Sequence, residues 1–264
     1  MTSVTEEAAA QFLYDARKRG VRVPNIPAEY RPVDAQEALA IQQRVVELMG
    51  EPIGGWKSSM PSLSRPLLYG PIFACSIVDA GPCHIVGTGP TMKVEPEIAF
   101  VLARDLSARS APYTEEEVRD AVRETRLVLE IVGPRYEDPT TVTYPELLAD
   151  NVANEGLYLG PVVRDALHRS LAAFPVTIRS ETHGVVTKQG KHPDGDPLKP
   201  LHWLANRLAE LGMPLRVGQI VTTGSYCGIV EVPVGEPVTF TCGVVGEVTV
   251  TLVCVTEVER VRRN

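Results

Sequence analysis

The chain has 264 residues, 44% of them hydrophobic, enough to bury a sizeable core as one large domain or two small ones. A formal charge of −7 with no lysine/arginine block excludes a general nucleic-acid or membrane-surface binder, while local lysines still permit a small anionic substrate. Five cysteines, odd in number and without C-x-x-C spacing, predict reduced, mostly buried thiols rather than a disulfide framework or zinc site. No basic start leads into an apolar run and no stretch reaches the ~18 apolar residues of a membrane span, so the expected location is the cytoplasm.

Ser3 and Glu6 have capping-box spacing and predict a helix with Ala9, Phe12, Leu13 and Ala16 on one side. After three prolines, Asp34 with Glu37 opens a second helix that buries Leu39, Val45, Val46 and Met49 and stops at Gly50. From Ile53 the pattern turns β-like, and Lys57 stands there among glycines and small hydroxyls. Such a lysine is a solvated charge by default, but beside an apolar pocket it can bind a carboxylate or exchange a proton. Ser62 to Gly70 reads as a loop containing Arg65 and Tyr69, and Ile72 to Val78 as a strand. Gly87-Thr88-Gly89 completes neither G-x-G-x-x-G nor a Walker pattern, so no nucleotide loop is assigned.

The stretch Lys93 to Leu102 holds two acids in an apolar strand. Alternation puts Lys93, Glu95 and Glu97 on one face and Val94, Ile98, Phe100 and Leu102 on the other. Pro96 removes a ladder donor, which predicts a strand edge or mouth. Two converging carboxylates are relieved by a hard dication such as Mg²⁺ or Mn²⁺; a solvated strand face is the alternative. Thr114 with Glu117 predicts a helix ending near Arg126, and Leu127 to Gly133 reads as a buried strand interrupted by one acid, Glu130. A buried carboxylate needs a partner: either Arg135 or another arginine, or a cation shared with Glu95 and Glu97.

Further on, Thr143 to Leu148 predicts a short helix, and Asp150-Asn151 a turn whose side chains bond their own backbone. Phe174 to Arg179 and Val185 to Lys188 form a hairpin, and a polar loop runs from Gln189 to Pro197. An amphipathic helix carries Leu201, Leu204, Ala205, Leu208 and Leu211 to a stop at Gly212. Ile220 to Thr223 reads as a strand, and Val238 to Val255 as an antiparallel pair. Gly224-Ser225-Tyr226-Cys227-Gly228 lacks nucleophile-elbow spacing, which argues against a serine or cysteine hydrolase.

Taken together, Gly55-Trp56-Lys57, Glu95 to Leu102 (EPEIAFVL), Glu130 to Arg135 (EIVGPR), Asp150-Asn151, Gly195 to Leu198 (GDPL), Trp203 to Asn206 (WLAN) and Thr223-Gly224-Ser225 resemble the 2-keto-4-pentenoate hydratase and 4-oxalocrotonate decarboxylase group of the fumarylacetoacetate hydrolase superfamily. The resemblance spans nearly the whole chain. It implies an α+β fold, a β-rich mixed barrel-like roll with helices outside and two N-terminal helices, in a single domain over 1–264 (helical 1–50, β-rich catalytic 51–264). It also implies Mg²⁺ or Mn²⁺ at Glu95, Glu97 and Glu130, Lys57 as catalytic residue, and a homo-oligomer, with a pathway partner as a further possibility. The implied activity is metal-dependent addition of water to a 2-hydroxy-2,4-dienoate or 2-oxo-enoate through a metal-held enolate, as in aromatic ring-cleavage catabolism. Three carboxylates leave a dication open positions for the carboxylate and 2-oxo oxygen of such a substrate. Alternatives are decarboxylation of 2-oxo-3-hexenedioate, carbon–carbon hydrolysis of an acylpyruvate with His192 as base, or a catalytically altered binding or accessory protein. Arg65, Tyr69 and Ser225 are candidate substrate contacts. The interval from Lys57 to Gly70 is shorter than usual for the family, with Leu68-Tyr69 where hydratases often have an acid, so no water-activating group is assigned.

Overall fold

The computed structural model describes residues 3–62, 66–86, 89–133 and 135–255. Both N-terminal helices form where their caps predict them. In α1 (Val4–Arg19), Ser3 Oγ accepts from the Glu6 amide, and Gly20 closes the helix at φ 63°. In α2 (Ala35–Met49), the Asp34 carboxylate accepts from the amides of Gln36 and Glu37, and Gly50 ends it at φ 64°. Leu13, Ile41, Val45 and Leu148 pack these helices, with the short α4 (Tyr144–Ala149), into a core of their own around Tyr136.

The rest is largely sheet. The strands β1 (Ile53–Ser59), β2 (Leu68–Phe73), β3 (Ile77–Val78), β5 (Thr91–Leu102), β6 (Val122–Val132), β7 (Asn154–Val162) and β10 (Ile220–Ser225) lie in the order β2-β1-β10-β5-β6-β7-β3. The short β11 (Val230–Pro233) joins β5 beyond the end of β10. A second sheet, β4-β13-β12-β8-β9, comprises β4 (Cys83–Val86), β8 (Ala173–Ser180), β9 (Gly184–Lys191), β12 (Pro237–Cys242) and β13 (Gly246–Val255). The two meet where β13 crosses β7: a Cβ on Gly160 would stand 3.0 Å from the Val248 side chain. The remaining helices, α3 (Glu115–Arg119) and α5 (Leu198–Glu210), lie together; α5 buries Leu201, Leu204 and Leu208 in the main core. This is the expected α+β, curled and β-rich roll.

Several local expectations are corrected. Pro96 lies in a strand paired on both sides, not at an edge. It is tolerated because its carbonyl, accepting from Tyr226 N at 3.1 Å, faces the interval between β10 and β11. The missing N–H points the same way, into a gap where no ladder bond is required. The helix opened by Thr114 ends at Arg119 rather than near Arg126, since Val122 and Glu124 already pair with Leu102 and Val101. Ile72 to Val78 is not one strand: β2 begins at Leu68, within the expected loop, and a 3₁₀ turn over Ala74–Ser76 separates it from β3. Of the five cysteines, only Cys83 and Cys242 are buried; Cys75, Cys227 and Cys254 are half-buried. No helix among the described residues is long and apolar enough to cross a membrane.

Candidate active site

Four strands of the large sheet bring the site together. In the ladder of β5 and β6, Glu95 stands directly opposite Glu130, and Glu97 follows on the same face. On the other flank, β10 pairs Ser225 with Glu97, and β1 pairs Lys57 with Thr222. Lys57 lies three strand spacings from β6, roughly 14 Å along a flat sheet. The curl closes that gap, and Nζ lies 2.5 Å from Glu130 Oε1. Gly55, two residues before Lys57, allows β1 to lie this close to β10, because a Cβ there would meet the Ile220 carbonyl oxygen at 2.4 Å.

One carboxylate oxygen from each of Glu95, Glu97 and Glu130 lies within 4.8 Å of the other two, the only such cluster among the described residues. Each acid has its own surroundings. Glu130 Oε1 accepts from Lys57 Nζ and from Asn154 Nδ2 at 2.8 Å, while Oε2 is buried without a partner. Glu97 Oε2 accepts from Thr222 Oγ1 and from the Gly224 amide at 2.8 Å. Glu95 is half-buried at the mouth. Burial first, then the charge of Glu130, pushes the Glu95 carboxyl up to about 7, against the pull of Lys57. Burial, then Glu130 and Glu95, pushes Glu97 up to about 8, although Thr222 and Lys57 oppose this. Burial draws the Lys57 ammonium down, but the acids together outweigh it, led by Glu130 and Glu95, and hold it above its ordinary value.

Three carboxylates against one ammonium are under-compensated. An orphaned buried oxygen on Glu130 and an all-oxygen donor set suit a hard dication of the Mg²⁺ or Mn²⁺ kind. The arginine partner considered for Glu130 is excluded: Arg135 bonds Glu155 and the Gly133 carbonyl instead.

The site opens into a cavity of about 430 Å³. Besides the acids and Lys57, its lining includes Leu68, Val132, Leu147, Val152 and Ile229. Ser225 also lines it, half-buried, with its hydroxyl donated to the Gly228 carbonyl at 3.1 Å. Tyr69 does not line it. In β2 the register pairs Ser59 with Leu68 and Ser58 with Tyr69, so Leu68 faces the cavity while Tyr69 is buried between Trp56 and Trp203 on the opposite side. Arg65 lies outside the described residues. His192 is fully buried, with Nε2 at the Thr223 carbonyl and Nδ1 accepting from the Asp194 amide. That histidine braces a loop; it is not the base that carbon–carbon hydrolysis would require.

Sequence reasoning missed the segment that supports Lys57. Asn151, Val152 and Ala153 have φ of 52°, 56° and 58°, three successive left-handed residues without a glycine. Each such residue costs on the order of 1–2 kcal/mol. The turn presents the Val152 carbonyl to Lys57 Nζ at 3.1 Å, and Asn154, just beyond it, bonds Glu130. Asp150 does not bond its own backbone as predicted: it is buried against Arg17 and the Arg135 amide. The Asn151 amide group is buried with neither polar atom partnered. Gly70 permits the close approach, since a Cβ there would meet the Asn151 carbonyl oxygen at 2.9 Å. Asp-Asn is an ordinary turn signal, and nothing in Val152-Ala153 marks a left-handed backbone.

The fumarylacetoacetate (FAA) hydrolase C-terminal family profile matches residues 55–255. The 2-keto-4-pentenoate hydratase of Paraburkholderia xenovorans (strain LB400) is 33% identical over 93% of each chain. The 2-hydroxyhexa-2,4-dienoate hydratase of Comamonas testosteroni is 28% identical over 87% of this chain and 90% of that one. Among solved structures, the 4-oxalocrotonate decarboxylase from Pseudomonas putida G7, complexed with magnesium and adipate, superposes with a TM-score of 0.77 at 21% identity. That superposition covers 94% of this chain and 97% of the other.

Proposed function

The chain belongs to the FAA hydrolase C-terminal family, and we propose that it is a divalent-metal-dependent lyase, a hydratase that adds water to a 2-hydroxy-2,4-dienoate. The observation that carries this reading is the convergence of Glu95, Glu97, Glu130 and Lys57 in one cavity whose lining also includes Leu68, Val132, Leu147 and Ile229. The names of the full-length relatives support the substrate class. The three glutamates would hold Mg²⁺ or Mn²⁺, and such an ion, once bound, supplies Lewis-acid polarisation of a 2-oxo acid.

The chain's own groups do the rest. Thr222 and the Gly224 amide fix one oxygen of Glu97, and Asn154 fixes one oxygen of Glu130, so neither acid must reorganise on binding. Lys57 enters as an ammonium held by Glu130 and the Val152 carbonyl. Its Nζ gives a proton to the far carbon of the dienol as the 2-hydroxyl loses its own, leaving a 2-oxo-3-enoate. The 2-hydroxyl proton passes to solvent; water adding to the polarised alkene then returns a proton to Nζ, and C3 takes one from solvent in place of the one released, so the net change is one added water. Leu68, Val132 and Leu147 exclude bulk water from the substrate's tail.

The same apolar wall favours a second reading. Among the described lining residues, Lys57 is the only base besides the three acids, and Leu68 stands where an acid could activate water. A dry wall around a departing carboxylate would promote loss of carbon dioxide, as in decarboxylation of 2-oxo-3-hexenedioate. Turnover with Mg²⁺ or Mn²⁺ on 2-hydroxypenta-2,4-dienoate and on 2-oxo-3-hexenedioate, with products identified by mass, decides. Gain of water on the first is the expected result. Carbon dioxide loss confined to the second replaces hydratase by decarboxylase, and inertness toward both, with metal bound, overturns the lyase.

A further inference from the structure

The left-handed turn beside Lys57 is held from a distance. Arg17 lies near the end of α1 and is buried, far in sequence from every candidate site residue. Its guanidinium forks: Nη2 bonds Asp150 Oδ1 at 3.1 Å, and Nη1 bonds the Asn154 carbonyl at 3.3 Å. These two acceptors flank the left-handed residues Asn151, Val152 and Ala153 on either side. From α2, Gln42 Nε2 bonds the Leu148 carbonyl at 2.7 Å and the Tyr69 carbonyl at 3.3 Å, tying the approach to the turn onto β2. The turn's own backbone closures are Ala153 N to Asp150 O at 3.0 Å and Asn154 N to Asn151 O. Three non-glycine residues would relax out of this conformation unless surrounding structure over-determined it.

We propose that Arg17 is a positioning residue for the active site. Its fork closes the Asn151–Ala153 turn and thereby holds the Val152 carbonyl against Lys57 and the Asn154 amide against Glu130. The N-terminal helices then are more than a cover for the sheet: α1 sets the orientation of the proton-transfer group. The proposal rests on the role assigned to Lys57 above.

The test is Arg17→Lys, which keeps the charge opposite Asp150 but loses the planar fork that spans both acceptors. In the metal-free protein, hydrogen exchange at the Ala153 and Asn154 amides should quicken by about tenfold or more, with the amides of β5 and β6 unchanged. With Mn²⁺ and 2-hydroxypenta-2,4-dienoate, kcat should fall about tenfold while the Kd for Mn²⁺ stays within about threefold, because misplacing Lys57 leaves the three carboxylates on their strands. Adding Ala153→Gly, which makes the left-handed backbone inexpensive, should recover a large part of both losses.

The proposal is overturned by unchanged exchange at Ala153 and Asn154, or by quickened exchange throughout β5 and β6. Retained kcat, or failure of Ala153→Gly to recover either loss, overturns it equally. Turnover that survives Lys57→Met overturns instead the role given to Lys57. The exchange comparison needs no substrate, so it still decides whether Arg17 clamps the turn.

Discussion

Proton release is the most direct consequence of three acids sharing one small volume. A dication binds the ionised carboxylates, so every proton the empty site retains must leave first. Below about 8 the Glu97 carboxyl is protonated, and below about 7 that of Glu95 as well. Between pH 9 and pH 6 the affinity for Mn²⁺ should therefore fall about a hundredfold on account of Glu97 and a further tenfold on account of Glu95. Together that is about 10³, or about 4 kcal/mol at 1.36 kcal/mol per decade. Titration calorimetry in buffers of different ionisation enthalpy reads both the Kd and the protons released, which should approach two near pH 6.

The sign for stability runs the other way. Both folded values lie above the unfolded value of about 4.5, so the metal-free fold retains protons that the unfolded chain has lost. Its stability is then highest near and below that value and declines as pH rises toward 8, by up to about 3 kcal/mol from Glu95 alone. The Tm of the metal-free protein should drop over this window, and the gain in Tm on adding Mn²⁺ should grow with pH. An affinity that varies by less than about tenfold from pH 6 to 9, with no proton release, would mean that Glu95 and Glu97 hold no protons in the metal-free site.

Lys57→Met should lower kcat by about a hundredfold or more yet leave Mn²⁺ binding intact or tighter, since Glu130 loses the ammonium that competes for it; steady-state rates and calorimetry separate the two. Thr222→Val removes a donor from Glu97, so its carboxyl should rise further, and Mn²⁺ affinity at pH 7 should weaken by about tenfold, an effect that fades above pH 9. Gly55→Ala forces a Cβ onto the Ile220 carbonyl between β1 and β10. It should cost about 2–3 kcal/mol and lower Tm by about 5–10 °C, with activity lost as Lys57 shifts. An unchanged melting curve would mean that the two strands are not packed as described.

What the sequence disclosed was whatever depends on neighbours a few residues away. The caps at Ser3, Asp34, Thr114 and Thr143 were legible because each bonds an amide two or three residues on. Glu95 and Glu97 were legible because strand alternation alone puts them on one face, and Glu130 because an acid within an apolar run must be compensated. The identity of that compensation was not legible: Lys57 is 73 residues away and three strands across, so only the curl of the sheet selects it over Arg135. Tyr69 and Leu68 show the same limit at its sharpest. Either could face a cavity, and the choice is the parity of one hairpin register, Ser59 opposite Leu68, which no local pattern specifies. The left-handed turn is harder still, for Val152 and Ala153 carry no preference for it. Its conformation is imposed by Arg17 and Arg135 on Asp150 from one side, and from the other by a backbone approach that Gly70 alone permits. The chemistry-bearing side chains thus sit in segments with strong local signals, whereas the groups that aim them are set by contacts remote in sequence. Substitutions at the latter should accordingly alter turnover without altering any motif.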